Sequence, residues 1–133
     1  MRAGDLPEGV RRLIAEHIDS VEQLEILLLL YQHPERSWTA ESVARELRVS
    51  ALSVTDRLKD MTQAGLLSRV EGSLAEYRCA PESPKLAEAV SGLATAYSER
   101  RVTVINLIFS KPVDKIRTFA DAFRLRRDDD DNG

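Results

Sequence analysis

The feature that most constrains the fold is a segment of helix length that is apolar on nearly all of its faces. Positions 21–33 read VEQLEILLLLYQH, and the run over 26–31 contains no polar side chain other than a tyrosine hydroxyl. A helix with no polar face must be buried by other elements, so this segment is expected to be the central helix. Pro34 ends it, because the residue before a proline is disfavoured in the α region.

A shorter amphipathic helix is predicted before the central one. Apolar residues at positions 10, 13, 14 and 18 follow a helical period, and Pro7 stands where a first-turn proline is favoured. Ser20 and Gln23 then form an S-x-x-Q capping box, which predicts that the central helix begins at position 21.

Two further helices are expected after Pro34, separated by a tight turn. Thr39 and Ser50 are preferred N-cap residues for helices over 40–47 and 51–64. The second of these helices carries its inward apolar residues at 54, 58 and 61. Arg48 occupies the turn, where a left-handed conformation would be strained for a side chain other than glycine.

The period of the apolar residues changes after Gly65, which stands where a left-handed residue commonly ends a helix. Residues 66–70 and 76–80 then read as two short antiparallel strands. Ser83 is expected to cap a long helix over 84–110, which Pro112 breaks. A last amphipathic helix is predicted over 113–125.

The order of these elements carries a resemblance. The residues concerned are those of 39–50, TAESVARELRVS, together with Val54, Leu58, Met61 and the Gly65-Leu66-Leu67 sequence. Over roughly residues 20–80 the chain resembles the winged helix-turn-helix transcriptional regulators of bacteria, including the MarR-like and PadR-like groups. The resemblance implies a mainly α fold with a small β-ribbon, followed by a C-terminal helical hairpin.

Three regions follow from this resemblance. Residues 1–82 would form the winged helix-turn-helix domain with an added N-terminal helix, and 83–127 a helical dimerisation element. Residues 128–133, with four consecutive aspartates, are expected to be a disordered acidic tail. In this arrangement Trp38 is expected to fill the core beside the ribbon.

The resemblance also implies a function, which is sequence-specific binding of double-stranded DNA by a transcriptional regulator. The helix over 51–64 would enter the major groove and the ribbon would lie along the adjacent backbone or minor groove. Arg57 is the residue expected to contact a base or a phosphate. The predicted DNA-binding residues are Arg45, Arg48, Ser50, Ala51, Leu52, Ser53, Asp56, Arg57, Arg69, Ser73 and Arg78.

The charge of these elements leaves an alternative open. Arg57 and Lys59 are balanced by Asp56 and Asp60 on the predicted recognition helix, and the ribbon also sums to zero. Phosphate neutralisation supplies nearly all non-specific affinity for DNA, so a neutral surface binds DNA weakly. The alternative is a winged-helix protein-interaction module that does not read DNA sequence.

The C-terminal helices are expected to form a homodimer. The helix over 84–110 would be roughly 40 Å long, with a heptad seam and a nearly all-apolar far end. A single chain covering this surface with its own helices is the alternative to a two-fold partner. The predicted dimerisation residues are Leu93, Tyr97, Val104, Ile105, Leu107, Ile108, Phe109, Ile116, Phe119 and Phe123.

Other functional classes lack a pattern in the sequence. No glycine-rich phosphate loop, G-x-S-x-G elbow or H-E-x-x-H motif is present, so no enzyme activity and no cofactor are expected. His17 and His33 stand on different helices without cysteines nearby, which disfavours a metal site. The only cysteine, Cys79, cannot form a disulfide within the chain. With no apolar run approaching ~20 residues, a cytoplasmic protein that does not enter the membrane is expected.

Overall fold

The computed structural model describes residues 6–72 and 75–110, and these form a mainly helical fold with a small antiparallel β-ribbon. The elements, in chain order, are α1 (Glu8–His17), α2 (Val21–Gln32), α3 (Ala40–Leu47), α4 (Ala51–Gln63), β1 (Leu67–Arg69), β2 (Tyr77–Cys79), α5 (Pro84–Glu99) and α6 (Arg101–Phe109). Within these two ranges, the helices lack the length and apolar character that a bilayer crossing requires.

The central position predicted for α2 is confirmed. Leu24, Ile26, Leu27 and Leu30 are completely buried, and α2 packs against α3, α4 and β2. Its start differs in one detail from the predicted capping box. The Ser20 hydroxyl accepts the Gln23 backbone N–H at 3.1 Å as expected, but the Gln23 side-chain oxygen accepts the backbone N–H of the residue before Ser20 at 2.8 Å.

The pair formed by α3 and α4 follows the predicted capping signals. Thr39 and Ser42 form a reciprocal capping box at the start of α3, and Ser50 caps α4. The inward residues of α4 at positions 54, 58 and 61 are completely buried. Arg48, in the turn between the helices, adopts φ 61° and ψ 49°, which is the left-handed conformation that the sequence analysis identified as strained.

The ribbon is antiparallel and is extended by one residue that precedes α3. Its register places Leu67 opposite Cys79, Ser68 opposite Arg78 and Arg69 opposite Tyr77. Trp38 joins the outer edge of β2 through two backbone hydrogen bonds with Tyr77, each 2.8 Å long. The Trp38 side chain is only 1% exposed, which confirms its core position, and the Arg36 guanidinium lies 3.7 Å from the ring centroid.

The prediction of a single long helix over 84–110 is wrong. The backbone leaves the helical conformation at Arg100, with φ −136° and ψ 57°, so α5 ends at Glu99 and α6 starts at Arg101. The bend allows α6 to contact α1 as well as α5, and it buries Val104 and Ile108. Burying these apolar side chains in the same chain favours the bend over a straight helix that would leave them in water.

The bend changes which side chains are available to a second copy. Leu93, Val104 and Ile108, expected at the dimer interface, are core residues of the chain itself. Phe109 is 68% exposed, whereas Tyr97, Ile105 and Leu107 are half-buried. The remaining expectations fall outside the described residues, and these concern Ser73, Ile116, Phe119, Phe123, the helix over 113–125 and the tail over 128–133.

Candidate nucleic-acid interface

The predicted DNA-binding residues lie on three neighbouring elements, since α3 packs on α4 and α4 packs on β1. We call the exposed side chains of α3, α4, the turn between them and the ribbon the head surface. Seven of the predicted residues are exposed there, namely Arg45, Arg48, Ser50, Leu52, Asp56, Arg69 and Arg78. Ala51, Ser53 and Arg57 are only half-exposed.

The head surface carries equal numbers of positive and negative side chains among the residues described. Its exposed cations are Arg45, Arg48, Lys59, Arg69 and Arg78. Its exposed anions are Glu41, Glu46, Asp56, Asp60 and Glu71. The exposed charges of the head surface therefore sum to zero, as expected from the sequence. Arg57 and Glu76 are partly buried and do not belong to this exposed set.

Glu22 of α2 holds two of the residues that were expected to face outward. The Ser53 hydroxyl donates to Glu22 Oε1 at 3.0 Å, and Arg57 Nε lies 3.8 Å from the same oxygen. The Arg57 and Glu22 side chains are 32% and 25% exposed. Ser53 and Arg57, both predicted to bind DNA, are therefore half-exposed and lie on the side of α4 that contacts Glu22.

The outer face of the first half of α4 is left to two other side chains. Leu52 is 77% exposed, and Asp56 is exposed one turn later. Residues four apart lie on the same face of a helix, so these two are neighbours on the surface. Ser50, at the start of this helix, accepts the Ser53 backbone N–H at 3.4 Å.

Glu25, a second carboxylate of the central helix α2, contacts the C-terminal helices α5 and α6. Glu25 accepts a hydrogen bond from the Tyr97 hydroxyl at 3.2 Å, and the Arg101 guanidinium lies 3.9 Å from the same carboxylate oxygen. Burial and the nearby Glu25 charge raise the pKa of Tyr97. The hydroxyl of Tyr97, a residue expected at the dimer interface, is therefore bonded within its own chain.

The roles of Glu22 and Glu25 were not predicted from the sequence. Their partners on α4, α5 and α6 are distant in the chain, and no local spacing rule connects them. A signal was nevertheless present, because two carboxylates three residues apart on an otherwise apolar buried helix need polar partners. In the fold, α2 contacts α4 through one of them and the C-terminal helices through the other.

The remaining polar groups do not assemble a recognisable catalytic or metal centre in the described ranges. A groove of about 640 Å³ lies between α1 and the start of α5, with Glu8, Arg12, His17, Glu82 and Lys85 among its lining residues. It mixes both signs of charge, and no group of three potential metal ligands occurs in residues 6–72 and 75–110.

Cys79 sits at the end of β2 and is partly buried. Burial raises its pKa from 9.0 to about 11, so the thiol is protonated at neutral pH. A protonated thiol is a poor nucleophile, so burial makes Cys79 less reactive than an exposed cysteine.

Comparisons with protein-family models, with curated proteins and with solved structures found no match to this chain.

Proposed function

We propose that the chain is a winged helix-turn-helix protein that binds double-stranded DNA and regulates transcription. The observation that carries this proposal is the unit formed by α3, a short turn through a left-handed Arg48, and α4, with a two-stranded ribbon packed on α4. A recognition helix must project from a brace to enter a groove about 12 Å wide, and α3 supplies such a brace. The proposal implies a cytoplasmic protein, because bacterial DNA lies in that compartment.

The cations of the head surface have defined roles in this proposal. Arg45 on α3 and Arg48 in the turn would contact phosphates on one side of the groove, while Arg69 and Arg78 on the ribbon would contact the flanking backbone. These contacts fix the register of the protein on the duplex. Because an equal number of carboxylates shares the surface, we expect non-specific affinity to be weak at physiological salt.

The same neutrality favours a second candidate function, a winged-helix module that binds another protein. Leu52 supports this candidate too, since a large exposed apolar side chain is a common anchor in protein interfaces. The two functions differ in their salt dependence. Phosphate contacts give a steep decrease of log affinity with log salt concentration, whereas a protein partner need not.

We propose further that the regulator is a homodimer, joined through the outer face of α6. Val102 and Phe109 are 69% and 68% exposed and lie two turns apart on one face, with half-buried Ile105 between them. A two-fold partner would bury these side chains and present two copies of α4 to half-sites about one DNA turn apart.

Selection of bound fragments from genomic DNA by the purified protein, followed by sequencing, tests the DNA-binding proposal. We expect an enriched, two-fold symmetric sequence at low salt. Failure to enrich any sequence would favour the protein-interaction module.

Light scattering tests the dimer, with an expected mass near twice 14.9 kDa. Phe109→Asp should reduce this mass to that of one chain, whereas Ser91→Asp, which adds the same charge to an exposed position on α5, should not. A wild-type protein with the mass of one chain at micromolar concentration would exclude the dimer.

A further inference from the structure

The contacts of α4 determine which of its side chains could reach a base. Glu22 holds Ser53 and Arg57 on the side of α4 that faces α2. Arg57 Nε is buried and lies 3.8 Å from Glu22 Oε1, although the Arg57 side chain as a whole is 32% exposed. The outward positions in the first half of α4 belong instead to Leu52 and Asp56.

We infer that α4 reads thymine and cytosine edges, with Leu52 contacting the thymine methyl group and Asp56 accepting a hydrogen bond from the cytosine amino group; this inference rests on the proposed DNA binding. In the major groove, thymine alone presents a methyl group, and cytosine presents the N4 amino donor. Apolar side chains and carboxylates are the groups complementary to these two features. Arg57, the residue first expected to read a base, does not do so.

The spacing of the two side chains sets the spacing of the two bases. Residues four apart on a helix have Cβ atoms about 5–6 Å apart. Successive bases of B-DNA rise by about 3.4 Å along each strand. Leu52 and Asp56 therefore address base pairs that are one or two steps apart, so each half-site contains a thymine and a cytosine at that separation.

The charge of Asp56 sharpens this specificity. A carboxylate accepts hydrogen bonds and cannot donate them, so it is repelled by the O6 and N7 acceptors of guanine and by the O4 acceptor of thymine. The phosphates repel it as well, and only an amino group in the groove offers it a favourable contact. Adenine also presents an amino group, at N6, but its neighbouring N7 acceptor repels the carboxylate. Asp56 thus favours cytosine partly by penalising the other bases.

The test uses the full chain and the DNA sequence enriched by the selection described above. Each thymine of the site is replaced in turn by deoxyuridine, which removes only the methyl group. We expect one position in each half-site to lose about fourfold in affinity, which corresponds to about 0.8 kcal/mol for one buried methyl group. In Leu52→Ala the same replacement should have no effect, and this variant should fold because Leu52 is 77% exposed.

Two further variants test the cytosine contact and the role of Arg57. Asp56→Asn should relax the preference at one C·G pair, whereas Asp60→Asn, which removes the same exposed charge one turn along α4, should leave that preference intact. Arg57→Ala should retain the sequence preference of the wild type.

Three results would overturn the inference while leaving DNA binding in place. These are equal affinity for every deoxyuridine-substituted site, a methyl effect that persists in Leu52→Ala, and loss of a guanine preference in Arg57→Ala. If the selection enriches no sequence, the inference and the proposed function both fail.

Discussion

Replacing Arg48 by glycine should stabilise the fold even though it removes a predicted DNA contact. Arg48 has φ 61° and ψ 49°, and it has the only positive φ among the non-glycine residues described. A left-handed conformation costs an L-residue roughly 1–2 kcal/mol. Glycine avoids this cost but loses about 0.5–1 kcal/mol more conformational entropy on folding. Because the Arg48 side chain is exposed and packs little, the net gain for Arg48→Gly is roughly 0.5–1 kcal/mol.

Urea denaturation measures this gain, with Arg48→Ala as the matched control. The alanine variant loses the same charge and the same side chain but keeps the backbone strain, so its free energy of unfolding should stay within about 0.5 kcal/mol of the wild type. The glycine variant should unfold at a higher urea concentration than both, with an unchanged slope. If the glycine variant is no more stable than the alanine variant, the strain assigned to Arg48 is absent.

The two variants should agree in a second assay, which measures DNA affinity. Both remove one cation from the head surface, so both should weaken binding to the selected sequence and reduce the salt dependence by about one phosphate contact. Stability and binding would then change in opposite directions for Arg48→Gly. Backbone strain retained at a single residue is typical of functional positions. Equal DNA affinity of the wild type, Arg48→Gly and Arg48→Ala would show that Arg48 contacts no phosphate.

Further substitutions and one chemical modification test the fold. Thr39→Ala should destabilise the chain by about 1 kcal/mol, because it removes the Thr39 hydroxyl that accepts the Ser42 backbone N–H at 3.0 Å. Ser50→Ala should destabilise it by less, because the Ser50 bond is 3.4 Å long and exposed. Gly92→Ala should destabilise the wild type, since the added Cβ would lie 2.9 Å from a Val10 methyl group. In the Val10→Ala variant, which lacks that methyl group, the same substitution should stabilise the chain by about 0.5–1 kcal/mol. Thermal unfolding of the wild type, the two single variants and the double variant tests this. At pH 8, native Cys79 should react with iodoacetamide about 100-fold more slowly than Cys79 in the denatured chain, because its pKa is raised from 9.0 to about 11; equal rates would contradict the burial of the thiol. The same shift implies that the free energy of unfolding declines as the pH rises from 9 toward 11.

The elements of the fold were predictable where the signal is local. Thr39, Ser50 and Ser83 cap the helices that the sequence assigns to them, and Gly65 adopts φ 84° after α4. These features depend on hydrogen bonds or dihedral angles within a few residues, so the local sequence contains the information. The apolar pattern of α2 is of the same kind, since a helix without a polar face can only be central.

The break at Arg100 was not predictable in this way. No proline or glycine interrupts the sequence between Glu99 and Arg101, and the apolar spacing continues through the break. The helix bends because the side chains at 104 and 108 find a place in the core against α1 and α5. That benefit exists only once α1 is in position, so helical propensity in this segment is overridden by tertiary packing.

The candidate site depends on a contact of the same non-local kind. A count of charges along α4 gives zero, but this count includes Arg57, which is paired with Glu22 at a separation of 35 positions in the chain. Once Arg57 is withdrawn, the exposed charges of α4 are Asp56, Lys59 and Asp60, with a sum of −1. A helix with this charge gains no affinity from phosphates. In the proposed function, the arginines of α3, the turn and the ribbon would therefore supply the phosphate contacts, and α4 would contribute selectivity through base edges. This proposed arrangement of positioning cations around a non-basic reading helix depends on one ion pair between α2 and α4. Glu22→Gln, which releases Arg57 while keeping the shape of the side chain, should raise non-specific affinity and lower the ratio of specific to non-specific binding.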